Sequence, residues 1–144
     1  MVVQNNLTSK GFIAITAIIA WFALVLQLYL MMSLRPQTGL SAFEVLIKFV
    51  SFFTILSNLI VAVSFTIILL WPQSAAAIFF ARPSNKAAVA VYILVVGIVY
   101  NLILRALWTP QGWQKIADEL LHVAVPVLYV LYWLIFVPKG FLKW

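Results

Sequence analysis

His122 is the only histidine in the chain and lies in a predominantly apolar run from Trp113 to Pro138. An ionisable side chain at bilayer depth costs several kcal/mol and marks a functional site by default. Asp118 precedes His122 by four residues and Glu119 by three, so either acid can reach the imidazole along one helix face. A carboxylate on one ring nitrogen fixes the tautomer and makes the other nitrogen a better proton acceptor, as a general base requires. Pro126 follows at the fourth position and supplies no N–H, so the carbonyl of His122 is expected to lose its helical partner and the helix to kink. Ser51, Thr54 and Asn58 follow i, i+3, i+7 spacing and are expected to share a stripe, which Glu44 and Lys48 continue toward the surface as an i, i+4 pair. A threonine hydroxyl becomes a nucleophile only when such a base takes its proton, and the resulting oxyanion then needs hydrogen-bond donors.

These groups must be carried by membrane-spanning helices. The 144 residues are 66% hydrophobic and 8% charged, against about 25% charged in a soluble domain. The fold class expected is all-α, a single polytopic transmembrane domain over 1–144, with four spans at about 11–32, 43–71, 87–108 and 113–137. The first apolar stretch is longer than a signal h-region and lacks a small-x-small cleavage pattern, so it is expected to stay in the mature chain. Ser41 and Ser84 are expected to cap the second and third spans, and residues 74–81 to form a short interfacial helix.

Cysteine is absent, and one histidine with three acids argues against a dedicated metal centre; no cofactor is expected. The net charge of +6 comes from basic residues scattered at span ends, which points to membrane orientation and away from nucleic acid. Lys10, Arg82, Lys86, Lys139 and Lys143 share one side with no acid, so both termini are expected in the cytoplasm. Trp71, Trp108, Trp113 and Trp144 fall at span ends as headgroup anchors.

With the spans alternating in direction, Gln27, Thr54, Asn101 and His122 fall at similar depths, about 9–15 Å inside the non-cytoplasmic end at 1.5 Å per residue. For Gln27, Ser51 and Ser57 the plainer role is interhelical hydrogen bonding, and a helical threonine usually bonds back to its own preceding carbonyl. Arg105 and Lys48 read most simply as snorkelling side chains, with the capacity to hold a lipid carboxylate.

Four segments carry a family resemblance: Phe52-Phe53-Thr54-Ile55-Leu56-Ser57-Asn58-Leu59, Val99-Tyr100-Asn101-Leu102-Ile103-Leu104-Arg105, Leu121-His122 followed by Pro126, and Phe136-Val137-Pro138-Lys139-Gly140. Together they resemble the bacterial Pr-six-Pr membrane proteins over nearly the whole chain. More distantly they resemble the androgen-induced-gene and androgen-dependent-regulator family of threonine hydrolases, which act on fatty acid esters of hydroxy fatty acids. The resemblance implies Thr54 as nucleophile, His122 as its base and residence in a bacterial inner membrane. It also implies about six spans, so another is expected to begin after Gly140, and a four-span form is expected to hide its polar layer by homo-oligomerisation. From spacing, Asp118 is the candidate to orient His122, and Asn58 and Asn101 are the candidate oxyanion donors, with Arg105 and Gln27 as further substrate contacts.

The leading expectation is therefore hydrolysis of a membrane lipid ester. The alternative is a non-enzymatic lipid or small-molecule binding protein with a polar pocket around His122. A transporter fits less well, because no pair of helices is broken by Gly or Pro at the midplane.

Overall fold

The computed structural model describes residues 6–139; Lys143, Trp144 and the end of the Phe136-to-Gly140 motif lie outside them. The described residues are helical and contain no strand. Four helical stretches are long and apolar enough to cross a membrane: Leu7–Ser33, Phe53–Leu70, Pro83–Leu107 and Gly112–Phe136. In chain order the helices are α1 (Asn6–Ser33), α2 (Arg35–Thr38), α3 (Ala42–Ser51), α4 (Phe53–Leu70), α5 (Ala75–Ala81), α6 (Pro83–Val99), α7 (Arg105–Leu107), α8 (Gly112–Glu119) and α9 (Val125–Phe136). A five-residue π-helical segment, Tyr100–Leu104, joins α6 to α7, and a second, Leu120–Ala124, joins α8 to α9.

The bundle follows from where small side chains are placed. Ala17, Ala20 and Ala23 on α1 are buried in one cluster with Val61, Ala62 and Phe65 of α4, since small residues let apolar helices approach closely where lipid offers no hydrophobic driving force. α1 packs on α4, α4 on α6, α6 on α9, and α1 closes the ring against α8 and α9. Phe65 stacks on Tyr129 at 5.1 Å and meets Tyr132 edge-on at 4.8 Å, filling one end of the bundle. The outward faces stay apolar, with Ile18, Phe22, Val25, Leu102 and Ile135 all exposed, the surface that lipid tails would cover.

Three sequence expectations need correction. The stretch 43–71 is two helices, because Phe52 is extended (φ −77, ψ 125) between α3 and α4. Ser51 is the last residue of α3, and its hydroxyl donates back to the Ile47 carbonyl at 2.6 Å, as helical hydroxyls commonly do. The break removes Ser51 from the Thr54–Asn58 stripe, and Ser51 is exposed. Second, α6 begins at Pro83 with Arg82 in the capping position, so Ser84 caps nothing; proline at the first helical position supplies the preset φ and needs no N–H partner. Third, Glu44 does not pair with Lys48. It completes a capping box with Ser41, whose hydroxyl accepts from the Glu44 N–H at 3.2 Å while the Glu44 carboxylate accepts from the Ser41 N–H at 2.8 Å. The expected short helix at 74–81 is present as α5, capped by Ser74.

The bonds from the Ser41 side chain and then its backbone hold the Glu44 carboxyl below the usual carboxylate range. A carboxylate depressed on folding adds stability above its unfolded value and loses it as pH falls through the folded one. Ser41→Ala is therefore expected to fray the first turn of α3 most at neutral pH and less at pH well below 4.5, where only the bond from the Glu44 N–H to the Ser41 hydroxyl is lost, as read by amide hydrogen exchange over residues 42–46.

Candidate functional site

Thr54 lies in the first turn of α4, directly after the extended Phe52. Helical hydroxyls in this chain bond backward: Thr16 to the Phe12 carbonyl at 2.9 Å and Thr66 to the Ala62 carbonyl at 2.7 Å. For Thr54 the break at Phe52 withdraws the preceding turn whose carbonyl would serve. Its hydroxyl instead reaches the fourth span, 3.3 Å from Nε2 of His122. The helix break thus frees the hydroxyl from its usual partner.

His122 sits inside the π-helical segment Leu120–Ala124. Its Nδ1 lies 2.9 Å from the backbone carbonyl of Asp118 and 3.4 Å from the Asp118 carboxylate oxygen Oδ1. A carbonyl oxygen only accepts, so Nδ1 carries the hydrogen and Nε2 presents its lone pair to the Thr54 hydroxyl. Asp118 orients the imidazole through its main chain at hydrogen-bond distance, with its carboxylate farther off. That carboxylate accepts instead from the Tyr100 hydroxyl through Oδ2. Glu119, the other acid in reach by spacing, pairs with Arg105 at 2.6 Å on the surface, where such a pair contributes little.

The π-helical register accounts for Asn58. With the Val125 N–H bonded to the Leu120 carbonyl, the next carbonyl in that register, Leu121, faces Pro126, which has no N–H. Asn58 supplies the missing donor: its Nδ2 lies 3.0 Å from the Leu121 carbonyl and 2.8 Å from the Thr54 carbonyl. The backbone defect expected at His122 is therefore met one residue earlier. Both amide hydrogens of Asn58 are committed, so it has no free donor for an oxyanion, and its Oδ1 is buried without a partner.

The other predicted residues separate. Asn101 donates to the Gly97 carbonyl at 2.8 Å, taking the acceptor its own N–H would use in an unbroken α-helix, which suits the π-helical segment Tyr100–Leu104. One amide hydrogen of Asn101 has no partner in that bond, and its side chain lines a groove with His122. Gln27 accepts from Gln114 at 2.9 Å, a link between the first and fourth spans, and makes no hydrogen bond to Thr54 or His122. Spacing alone singled out neither Tyr100 nor Gly97. The Tyr100 ring stacks on His122 with centroids 4.2 Å apart and planes 19° apart. A tyrosine one residue before Asn101 within an apolar span was the signal the sequence held. At Gly97 an added Cβ would lie 3.3 Å from Cβ of Pro126 and 3.4 Å from the His122 carbonyl oxygen, so this glycine sets the close approach of α6 to the bend.

The groove between the third and fourth spans has a volume of about 490 Å³. His122 and Asn101 are its polar members, and Leu94, Ile98, Val127 and Leu131 supply much of its apolar wall. Comparison with protein-family models, with curated proteins and with solved structures gives no match to this chain.

Proposed function

We propose that this integral membrane protein hydrolyses a lipid ester through Thr54 and His122, in line with the threonine-hydrolase resemblance of its motifs. The observation that carries the reading is the Thr54 hydroxyl 3.3 Å from Nε2 of a histidine whose Nδ1 is held by a backbone carbonyl. In this scheme Nε2 takes the hydroxyl proton as Oγ1 attacks the ester carbonyl. The resulting imidazolium returns that proton to the departing alcohol, leaving an acyl-threonine. Water, deprotonated by the same nitrogen, then releases the acid. The free amide hydrogen of Asn101 is the candidate oxyanion donor, and the uncapped first turn of α4 adds backbone N–H groups beside Thr54. The groove offers an acyl chain an apolar bed reached sideways from the bilayer. On the same reading the protein resides in a bacterial inner membrane with both termini in the cytoplasm, and oligomerises if no further span covers the polar layer.

A fluorophosphonate bearing a long alkyl chain is expected to label Thr54 covalently, with the adduct located by peptide mass spectrometry. Equal labelling of Thr54→Ala removes the nucleophile from contention. Saturable binding of a fatty acyl ester with no product supports a binding protein instead.

A further inference from the structure

An imidazole held only at its two nitrogens can still tilt, and a 1 Å displacement of a reacting group costs on the order of 10²-fold in rate. Tyr100 opposes the tilt in two ways. Its ring covers the face of His122 at 4.2 Å and 19°, while its hydroxyl donates to Oδ2 of Asp118. The second contact determines where the carboxylate goes. Held on the phenol, Asp118 keeps Oδ1 3.4 Å from Nδ1, longer than a normal N–H···O bond, and leaves Nδ1–H on the main-chain carbonyl at 2.9 Å. The π-helical segments place both partners: one begins at Tyr100 and keeps it buried while Leu102 and Ile103 face outward, and the other contains His122.

We propose that Tyr100 is a positioning residue for His122, its ring fixing the imidazole plane and its hydroxyl holding the Asp118 carboxylate off Nδ1, so that the Nε2 lone pair stays aimed at Thr54. The catalytic consequence rests on the hydrolase reading; the positioning itself does not. Neither Tyr100 nor Thr54 is among the residues lining the groove; Tyr100 stacks on His122, so its loss acts on the reacting nitrogen and leaves the apolar wall intact.

His122 is the sole histidine, so its imidazole nitrogens are the only ones in a ¹⁵N spectrum of the full chain in micelles. The native protein is expected to show a single neutral tautomer protonated at Nδ1, and Tyr100→Leu the same tautomer with its Nδ1–H resonance displaced and broadened, as the ring tilts and the freed carboxylate competes with the main-chain carbonyl. With a p-nitrophenyl fatty ester, Tyr100→Leu is expected to lower kcat on the order of 10²-fold with KM within about twofold. Tyr100→Phe keeps the stack and loses the hydroxyl; it should recover most of kcat, to within about tenfold of native, with the Nδ1–H resonance displaced as the carboxylate relaxes. A Tyr100→Leu protein with an unmoved Nδ1–H resonance and native kcat overturns the proposal. If that variant fails to fold, an unmoved Nδ1–H resonance in Tyr100→Phe overturns it equally. A displaced Nδ1–H resonance in Tyr100→Leu beside an inactive native protein leaves the positioning standing and removes the hydrolase reading.

Discussion

Thr54→Ala and His122→Ala are each expected to lower kcat for a lipid ester by roughly 10⁴- to 10⁶-fold, and the double variant to lose little more than either single one. The size follows from the division of labour: without the base the hydroxyl keeps its proton, and without the hydroxyl the base has no nucleophile to activate. The two variants should differ in stability. Thr54 loses one hydrogen bond, to His122 at 3.3 Å, worth about 1 kcal/mol net. His122→Ala also loses the stack on Tyr100, worth about 0.5–1.5 kcal/mol beyond its buried area, and leaves the Asp118 carbonyl without the imidazole N–H. Thr54→Ala should therefore melt close to native and His122→Ala several degrees lower. Thr54→Ser, which keeps the hydroxyl, should retain measurable turnover. Native kcat in Thr54→Ala, in protein shown to be folded, ends the nucleophile assignment.

Composition and apolar run length made the four spans legible, since only a helix satisfies its own backbone in lipid. Their interruptions were not. The break at Phe52 has no Gly or Pro to mark it; Phe49 and Val50 before it and Phe53 and Ile55 after it flank it with apolar residues. The π-helical segments are similarly silent, because an insertion of one residue per turn leaves an apolar pattern nearly unchanged. Yet these interruptions set the geometry of the candidate site. The break frees the Thr54 hydroxyl, and the two widened turns bring Tyr100 and His122 face to face.

The candidate site was legible in outline. Depth along alternating helices placed Thr54 and His122 in one layer, where they meet, and placed Gln27 there too, although it bonds Gln114. A depth argument fixes one coordinate and leaves the azimuth of each helix open, so it overcounts the members of a site. Spacing identified Asp118 as the partner of His122, but not that the main-chain carbonyl makes the closer contact. That distinction depends on the phenol of Tyr100, which arrives from another helix and has no fixed sequence offset.

Asn58 carries the second large effect, on stability. Replacing it with alanine is expected to cost about 2–3 kcal/mol, because the Leu121 carbonyl is left unpaired in a dry interior. The Thr54 carbonyl suffers less, since the backbone N–H of residue 58 still serves it within α4. Asn58→Asp, nearly the same shape but without the amide donors, should cost at least as much. The cause can be isolated by restoring the missing backbone donor. In a Pro126→Ala background residue 126 has an N–H for the carbonyls that proline leaves open, so Asn58→Ala there should cost about 1 kcal/mol less than in the native chain. Thermal unfolding of the four proteins of this cycle in one detergent measures the coupling. Equal costs in both backgrounds would mean that Asn58 stabilises the bundle by packing alone; a cost that shrinks identifies its amide as the stand-in for the N–H that Pro126 cannot provide, and so ties the proline beside His122 to a side chain one turn beyond Thr54.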